Sequence, residues 1–441
     1  MSEPRSELDW YPLTLAQLDF WEEFRAHPGV AVSTVAHAIC FRGALNPDAL
    51  ARAIQTTIAE TDVFALRFRE GPEGPRQAVS ANWAPELRPI DLRLQPAPER
   101  QAKAMMQADL DSPLDLTGAG LSAQWLMQTG TEEWIWYCRG HHIFLDGFAM
   151  ALIERRVAQL YAHLTQGSEP GEAFAAFPQF LAEEEAYRQG PRHTAAAKYW
   201  REQIGRTPGL PALRKGSEDY PAVPLLSEMD LSDLSEPLRA LAARLELGIV
   251  DLLTLLSAIW LWRHPCCQDD VAQCPRTVWL PFMSRFGSIS ARVPAMVVNI
   301  LPFCVAPDPA LGFTENLQAL AHELRQMRRH GRYRIEQITR DQGLDSQHRF
   351  FFSPLINVMP FDRPRFQDCT VEHEVLAAGP GDGFNMSFSC DSAGDGLALC
   401  LEADPALTPA AMFDFHRRAF PEFLHQCAAQ PANITLEETF G

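Results

Sequence analysis

The chain has no apolar run approaching the roughly 20 residues that cross a bilayer. Its most apolar stretch, "LLTLLSAIWLW" from Leu252 to Trp262, has the length of a buried helix. The opening "MSEPRSELDW" lacks the basic-then-apolar pattern of a secretory signal. A cytoplasmic protein with no membrane partner is therefore expected. Cationic side chains are scarce, with 38 Lys and Arg against 56 Asp and Glu, a formal net charge of −18. That balance argues against a nucleic-acid partner, which needs a basic face. It suits a cationic substrate drawn by long-range attraction, although ordinary solubility accounts for the same charge. No Gly-rich phosphate loop of either common kind is present, so adenylation is not expected of this chain. Cys266, Cys267 and Cys274 cluster without the histidine or second cysteine pair that would complete a zinc spacing, and no metal site is expected. Cys40, Cys138, Cys304 and Cys400 lie in strand-like runs and read as buried thiols.

What is present is an ordinary globular composition, 46% apolar and 21% charged, in 441 residues, enough for two or three compact units. Helix and strand signals alternate. Thr14 and Gln17 form a capping box ahead of "LAQLDFWEEFRAH". "STVAHAICFRG" (Ser33 to Gly43) alternates as a strand, and Asn46-Pro47 opens a helix running to about Glu60. "LSAQWLMQT" and "EEWIWYCRG" read as strands joined by a turn near Gly130, followed by a long helix ending at Gly167. Residues 206–227 are rich in Pro and Gly and read as a linker. Beyond it, helices are expected near Ser232–Leu247, Val250–Arg263 and Thr314–Arg329, and strands near Val271–Leu280, Met296–Val305 and Ser353–Phe361. Thr408-Pro409 opens a last helix. The expected class is α/β in two halves: residues 1–190, a connecting helix and linker at 191–230, and residues 231–441.

The stretch that carries chemistry is "CRGHHIFLDGFAM", Cys138 to Met150. Two adjacent histidines close a strand, an aspartate follows four residues after the second, and a glycine follows that. On the order of one chain in a thousand would hold these four positions by chance. Side chains alternate in extended backbone, so His141 and His142 leave on opposite sides, one facing a channel and one packing. Imidazole suits proton transfer near neutral pH. Asp146 can orient its surroundings or anchor the turn through an arginine, and Gly147 permits close backbone approach.

His141, His142, Asp146 and Gly147 resemble the His-His-x-x-x-Asp-Gly motif of the condensation domains of nonribosomal peptide synthetases. "VFALRFRE" with Arg67 and Phe68, "PAMVVNILPF" (Pro294 to Phe303) and "HGRYRIEQI" (His330 to Ile338) resemble further landmarks of that family in the same order. The likeness runs from about Tyr11 to the C-terminus. "VWLPFMSRFGS", "HGRYRIEQITRDQGL" and "FFSPLINVMPF" look most like the free-standing amide synthases of vibriobactin-type siderophore assembly. The family's Asp-x-Val-x-Gly-Thr motif is reduced here to Asp270, a Val-rich strand and "FMSRFG", leaving Arg285 as the counterpart of its arginine and a partner for Asp146. Ala65 stands where the early landmark often carries arginine.

The resemblance implies two chloramphenicol acetyltransferase-like subdomains forming a V, with the active site in a channel at their interface. It implies transfer of an aryl acyl group, of the 2,3-dihydroxybenzoyl class, from the phosphopantetheine thioester of an aryl carrier protein to a primary amine of a polyamine such as norspermidine or spermidine. No cofactor is expected on the chain itself, because the carrier supplies the arm, and a monomer is expected. His142 is the catalytic candidate. His141, Asp146, Gly147 and Arg285 support it, and Asn357 and Asn299 are candidates for the substrate channel. Three alternatives stand beside this reading: peptide-bond formation between two carriers, acyl transfer from a coenzyme A thioester, and a non-catalytic docking module. "QGLDSQ" (Gln342 to Gln347) resembles a phosphopantetheine acceptor but falls inside the family's own landmarks.

Overall fold

The computed structural model describes residues 8–27, 29–31, 33–118, 120–206, 223–266, 276–343, 352–379 and 383–429. The first part of the chain forms β1 (Tyr11–Pro12), α1 (Leu15–Ala26), β2 (Thr34–Gly43), α2 (Pro47–Glu60), β3 (Leu66–Arg69), β4 (Arg76–Val79), β5 (Arg88–Asp91), α3 (Pro98–Leu110), β6 (Ala123–Gln128), β7 (Glu133–His141), α4 (Gly147–Gln166) and α5 (Phe177–Arg188). The rest forms α6 (Pro191–Arg206), β8 (Leu225–Asp230), α7 (Ser235–Arg244), α8 (Ile249–Arg263), β9 (Arg276–Phe282), β10 (Asn299–Val305), α9 (Phe313–Arg329), α10 (Ile335–Asp341), β11 (Leu355–Pro360), β12 (Cys369–Ala378), β13 (Phe384–Cys390), β14 (Ala398–Ala403) and α11 (Ala410–Ala429).

Cap chemistry places the helix starts where the sequence suggests. Thr14 Oγ1 accepts from Gln17 N while Gln17 Oε1 accepts from Thr14 N. Asn46 Oδ1 accepts from Ala49 N, with Pro47 in the first turn. Gly167 ends α4 with φ 71°, a left-handed conformation that a β-carbon would strain. Cys40, Cys138, Cys304 and Cys400 fall on β2, β7, β10 and β14. Much of the expected 206–227 linker, residues 267–275 at the start of the expected Val271–Leu280 strand and most of the 342–347 stretch lie outside the described residues, as do Cys267, Asp270 and Cys274.

The chain divides into two compact units, and the division is not the contiguous one expected. Unit 1 holds residues 1–188, 285–297 and 363–380; unit 2 holds 189–284, 298–362 and 381–441. The boundary at 190 is close, but two later segments join unit 1. Hydrophobic alternation marks a strand without saying which sheet edge it will complete, so this exchange is invisible in the sequence.

Unit 1 is built on a five-stranded sheet in the order β12-β2-β7-β6-β5. The β12 strand pairs antiparallel along the whole of β2, from Cys369 opposite Gly43 to Ala378 opposite Val35, with one irregularity between Val375 and Ala377. One face of the sheet buries Val35, Ile39 and Phe41 against α2 and α4; the other buries Ala36, Ala38 and Tyr137 with Ala102 and Met106 of α3. A small sheet in the order β1-β4-β3 completes the unit. Unit 2 is built on a six-stranded sheet in the order β10-β9-β11-β13-β14-β8. Its core packs α8, apolar around nearly its whole circumference, against Val278, Leu301, Ile356, Met386 and Leu401 of the strands. Among the described residues no single helix is long and apolar enough to cross a membrane.

One histidine, His416, is built into the unit 2 core, and a second, His264, lies half-buried beside it. Trp260 Nε1 donates to His416 Nδ1 at 2.9 Å, and His416 Nε2 faces the Pro265 carbonyl at 3.1 Å, which fits a neutral ring protonated on Nε2. Burial lowers His416 to about 4. Burial, with His416 and two arginines nearby, lowers His264 to about 4. The unfolded chain takes up these protons near pH ~6.5 while the folded chain resists them, so stability is complete above that pH and falls as pH drops toward 4. Melting temperature measured between pH 7.5 and 4.5 is expected to fall on acidification. His416→Gln is expected to melt lower at pH 7.5 and to show a shallower pH slope; an unchanged slope would remove His416 from the acid response.

Candidate functional site

His141, His142, Asp146, Gly147 and Arg285 gather in unit 1 where β7 ends. Residues 142–145 turn back on themselves, with the N–H groups of Phe144 and Leu145 donating to the His141 carbonyl at 3.1 and 3.2 Å. The turn presses Phe144 and Leu145 onto Gly140, where a β-carbon would lie 2.5 Å from Leu145 Cδ1. The motif thus extends one residue further back than the spacing alone indicates.

The two histidines part ways here. His141 is 3% exposed, and its Nδ1 accepts from Ile143 N at 3.0 Å, so Nδ1 carries no proton. Burial, reinforced by His142 and Arg139, lowers its pKa to about 3. It is a neutral, packed side chain. His142 is half-buried. Its backbone N–H donates to the Ser33 carbonyl at 2.7 Å. Its ring stacks on Phe20 of α1, centroids 5.5 Å apart and planes 11° from parallel. Nδ1 lies 2.8 Å from the Leu145 carbonyl and Nε2 lies 3.0 Å from the Ala378 carbonyl. A neutral imidazole has one N–H and satisfies one of these oxygens; the doubly protonated ring satisfies both.

Asp146 caps α4. Its Oδ1 accepts from Ala149 N at 2.8 Å and its Oδ2 from Val297 N at 2.9 Å. Arg285 Nη2 donates to both carboxylate oxygens at 2.9 and 2.7 Å, and Arg285 also donates to the carbonyls of Ser290, Val293 and Ala295. The pair is almost wholly buried, with side chains 2% and 4% exposed. Gly147 is the first residue of α4 and is not among the left-handed glycines.

Asn299 is a correction. Its Nδ2 donates to the carbonyls of Gly331 and Tyr333 at 2.8 and 3.0 Å, and its Oδ1 accepts from Ile335 N at 3.1 Å. With its amide committed and 3% of the residue exposed, it ties two landmark segments of unit 2 together and does not line a channel. Asn357, also in unit 2, is half-buried on β11 opposite Ser387, on the side of the sheet away from Ile356 and the apolar core. Arg67 leans on Trp83, 5.5 Å from the ring centroid, and Phe68 is core. Of the acidic run Glu183–Glu185, Glu183 accepts the Ile289 N–H at 2.8 Å, a tie within unit 1.

Sequence reasoning missed the groups that hold His142 from outside its own motif. Phe20 and Glu23 lie on α1; Glu23 accepts a hydrogen bond from Ser33, which adopts φ 53° and presents its carbonyl to His142. Gly379 is the second omission. It has φ 90°, and a β-carbon there would lie 2.7 Å from His142 Cδ2. Only the oddity of a glycine directly after a strand hints at it.

A family model described as the condensation domain matches residues 7–386. The structure resembles that of VibH, an NRPS condensation enzyme, with a TM-score of 0.85 and 33% identity over 95% of this chain and 96% of that one. It also resembles the starter condensation domain of rhizomide synthetase RzmA, solved with C8-CoA and Leu-SNAC, with a TM-score of 0.82 and 27% identity over 97% and 96% of the two chains. Enterobactin synthase component F of Escherichia coli (strain K12) is 30% identical over 434 residues, 96% of this chain and 32% of that protein. The chain spans 18% to 33% of the length of the first curated relatives it matches.

Two substitutions probe this construction. Asp146→Ala strands the Arg285 charge in a buried site, a change worth roughly 3–5 kcal/mol. A clear fall in melting temperature or soluble yield is expected; a variant as stable as wild type but inactive would assign Asp146 a direct chemical role. Gly379→Ala is expected to cost activity through displacement of the His142 ring, whereas Gly167→Ala imposes similar left-handed strain, ~1–2 kcal/mol, with open space around it. Kinetics of both variants at a temperature where both are folded will separate the two effects; equal activity would discount the Gly379–His142 contact.

Proposed function

The chain belongs to the condensation-domain family, and from that premise we propose that it is a free-standing amide synthase. In this reading it transfers an aryl acyl group, of the 2,3-dihydroxybenzoyl class, from the phosphopantetheine thioester of an aryl carrier protein to a primary amine of a soluble polyamine such as norspermidine or spermidine, in catechol siderophore assembly. Amide-bond-forming acyl transfer is the reaction class of the family; donor and acceptor are the proposal. The observation that carries it is the state of the histidine pair: His141 is sealed and neutral, while the His142 ring is only partly buried and is clamped by Phe20 and two carbonyls. Support for the amide-synthase reading comes from the likeness to VibH, an NRPS condensation enzyme, at 33% identity. The net charge of −18 is compatible with a cationic acceptor.

The step is aminolysis. The amine nitrogen attacks the thioester carbonyl, a C–N bond forms, the C–S bond breaks, and the carrier's thiol leaves with a proton. Alkylamines are mostly protonated at neutral pH, their ordinary pKa lying near ~10, so the attacking nitrogen must shed protons. His142 receives or positions the amine proton, and Nε2 is free to do so only when its contact with the Ala378 carbonyl opens. A positioned base of this kind contributes about 10²–10⁴-fold, and juxtaposition of the two substrates contributes further.

The test offers aryl-loaded carrier, and separately the aryl coenzyme A thioester, to a panel of polyamines and carrier-bound amino acids, with products read by mass spectrometry. Acylation of a polyamine primary amine from the carrier is expected, and His142→Ala is expected to be slower by at least about a hundredfold while remaining folded. Acceptance of carrier-bound amino acids alone would replace the proposal with ordinary peptide-bond formation. Equal use of coenzyme A would overturn the carrier donor, and no product with any pair would favour a docking module.

A further inference from the structure

A second cluster of titratable side chains lies in unit 1, away from the turn that carries His142. His37 projects from β2, Glu154 from α4 and His373 from β12. His37 shares its sheet face with Val35, Ile39 and Phe41, and His373 stands in register with Ile39, so both imidazoles point toward the side where α4 packs. His37 Nδ1 lies 2.6 Å from Glu154 Oε1, and His373 Nε2 lies 3.0 and 3.1 Å from the two carboxylate oxygens. One donor atom from each residue falls within 4.8 Å of the other two. The carboxylate is 6% exposed and the imidazoles 12% and 15%. The acyl transfer proposed above uses none of the three.

We propose that His37, Glu154 and His373 bind one divalent transition-metal ion of the zinc class, held by two neutral imidazole nitrogens and the carboxylate, with water in the fourth position. The donor set selects the metal. Two imidazoles and one carboxylate suit zinc and its neighbours, whereas calcium and magnesium seek all-oxygen shells. The spacing is close: tetrahedral bonds of about 2.0–2.1 Å separate donor atoms by ~3.3 Å, so the His373 contacts need to open by ~0.2–0.3 Å and the His37 contact by ~0.7 Å. The residual exposure of both rings gives an ion access to the buried carboxylate. Without the ion, Glu154 accepts hydrogen bonds from the two imidazoles. The three residues are 117 and 219 positions apart, so no local spacing announces them. The ion would join the edge strand β12 to α4 and β2. The same strand ends at Ala378, whose carbonyl faces His142, so metal occupancy would stiffen one wall of the candidate site.

The experiment uses the full chain, stripped with a chelator and titrated with Zn²⁺ by calorimetry, with bound metal counted by elemental analysis. One ion per chain and a raised melting temperature are expected. His37→Gln, Glu154→Gln and His373→Gln, each checked for native circular dichroism, are expected to bind at least about a hundredfold more weakly. Co²⁺ substitution is expected to give the visible bands of a tetrahedral nitrogen and oxygen site with no intense thiolate charge-transfer band. Failure of the wild-type chain to take up stoichiometric Zn²⁺ overturns the proposal whatever the variants do. A thiolate band, or binding unchanged in all three variants, places the ion elsewhere and overturns it as well.

Discussion

Unit 1 depends on one buried ion pair. Taking Asp146 and Arg285 out of water is costly, and attraction alone does not reliably offset it. Here the cost is spread over many hydrogen bonds. Asp146 accepts from two backbone N–H groups at once, one in the first turn of α4 and one at Val297. Arg285 donates to three carbonyls of the 285–297 segment besides the carboxylate. The negative charge also sits at the positive end of α4. The result is a single knot joining the helix, the turn that precedes it and a segment from much later in the chain. That turn is what sets the direction of His142.

The adjacent histidines show how environment assigns roles to identical side chains. His141 is held neutral by burial and by a backbone donor aimed at its Nδ1. His142, one residue on, leaves the strand and meets two carbonyl acceptors and an aromatic face. Phe20 fixes the ring plane, and the carbonyls fix rotation within it.

Much of this was legible in the sequence. Local cap chemistry at Thr14, Asn46 and Gly167 located helix ends closely, because those signals act over three or four residues. The His-His-x-x-x-Asp-Gly spacing located the turn for the same reason. What escaped was non-local. Nothing near residue 20, 23 or 379 announces that its side chain or backbone touches His142. The pairing of β12 with β2 joins segments more than 300 residues apart, and hydrophobic periodicity is silent about partners. Asn299 was misjudged because an asparagine in a strand looks the same whether its amide faces a ligand or is spent on neighbouring carbonyls.

The late position of β12 bears on how the protein is made. As the ribosome delivers the chain, β2 emerges with its outer edge unpaired, and it waits for residues 369–378 before that edge is covered. An uncovered strand edge of ten residues invites pairing with other chains. The segment that ends this exposure also brings the Ala378 carbonyl and Gly379 to His142. A nascent chain halted before residue 369 therefore carries both an open edge and an unfinished site, and the same late step of synthesis closes the two together.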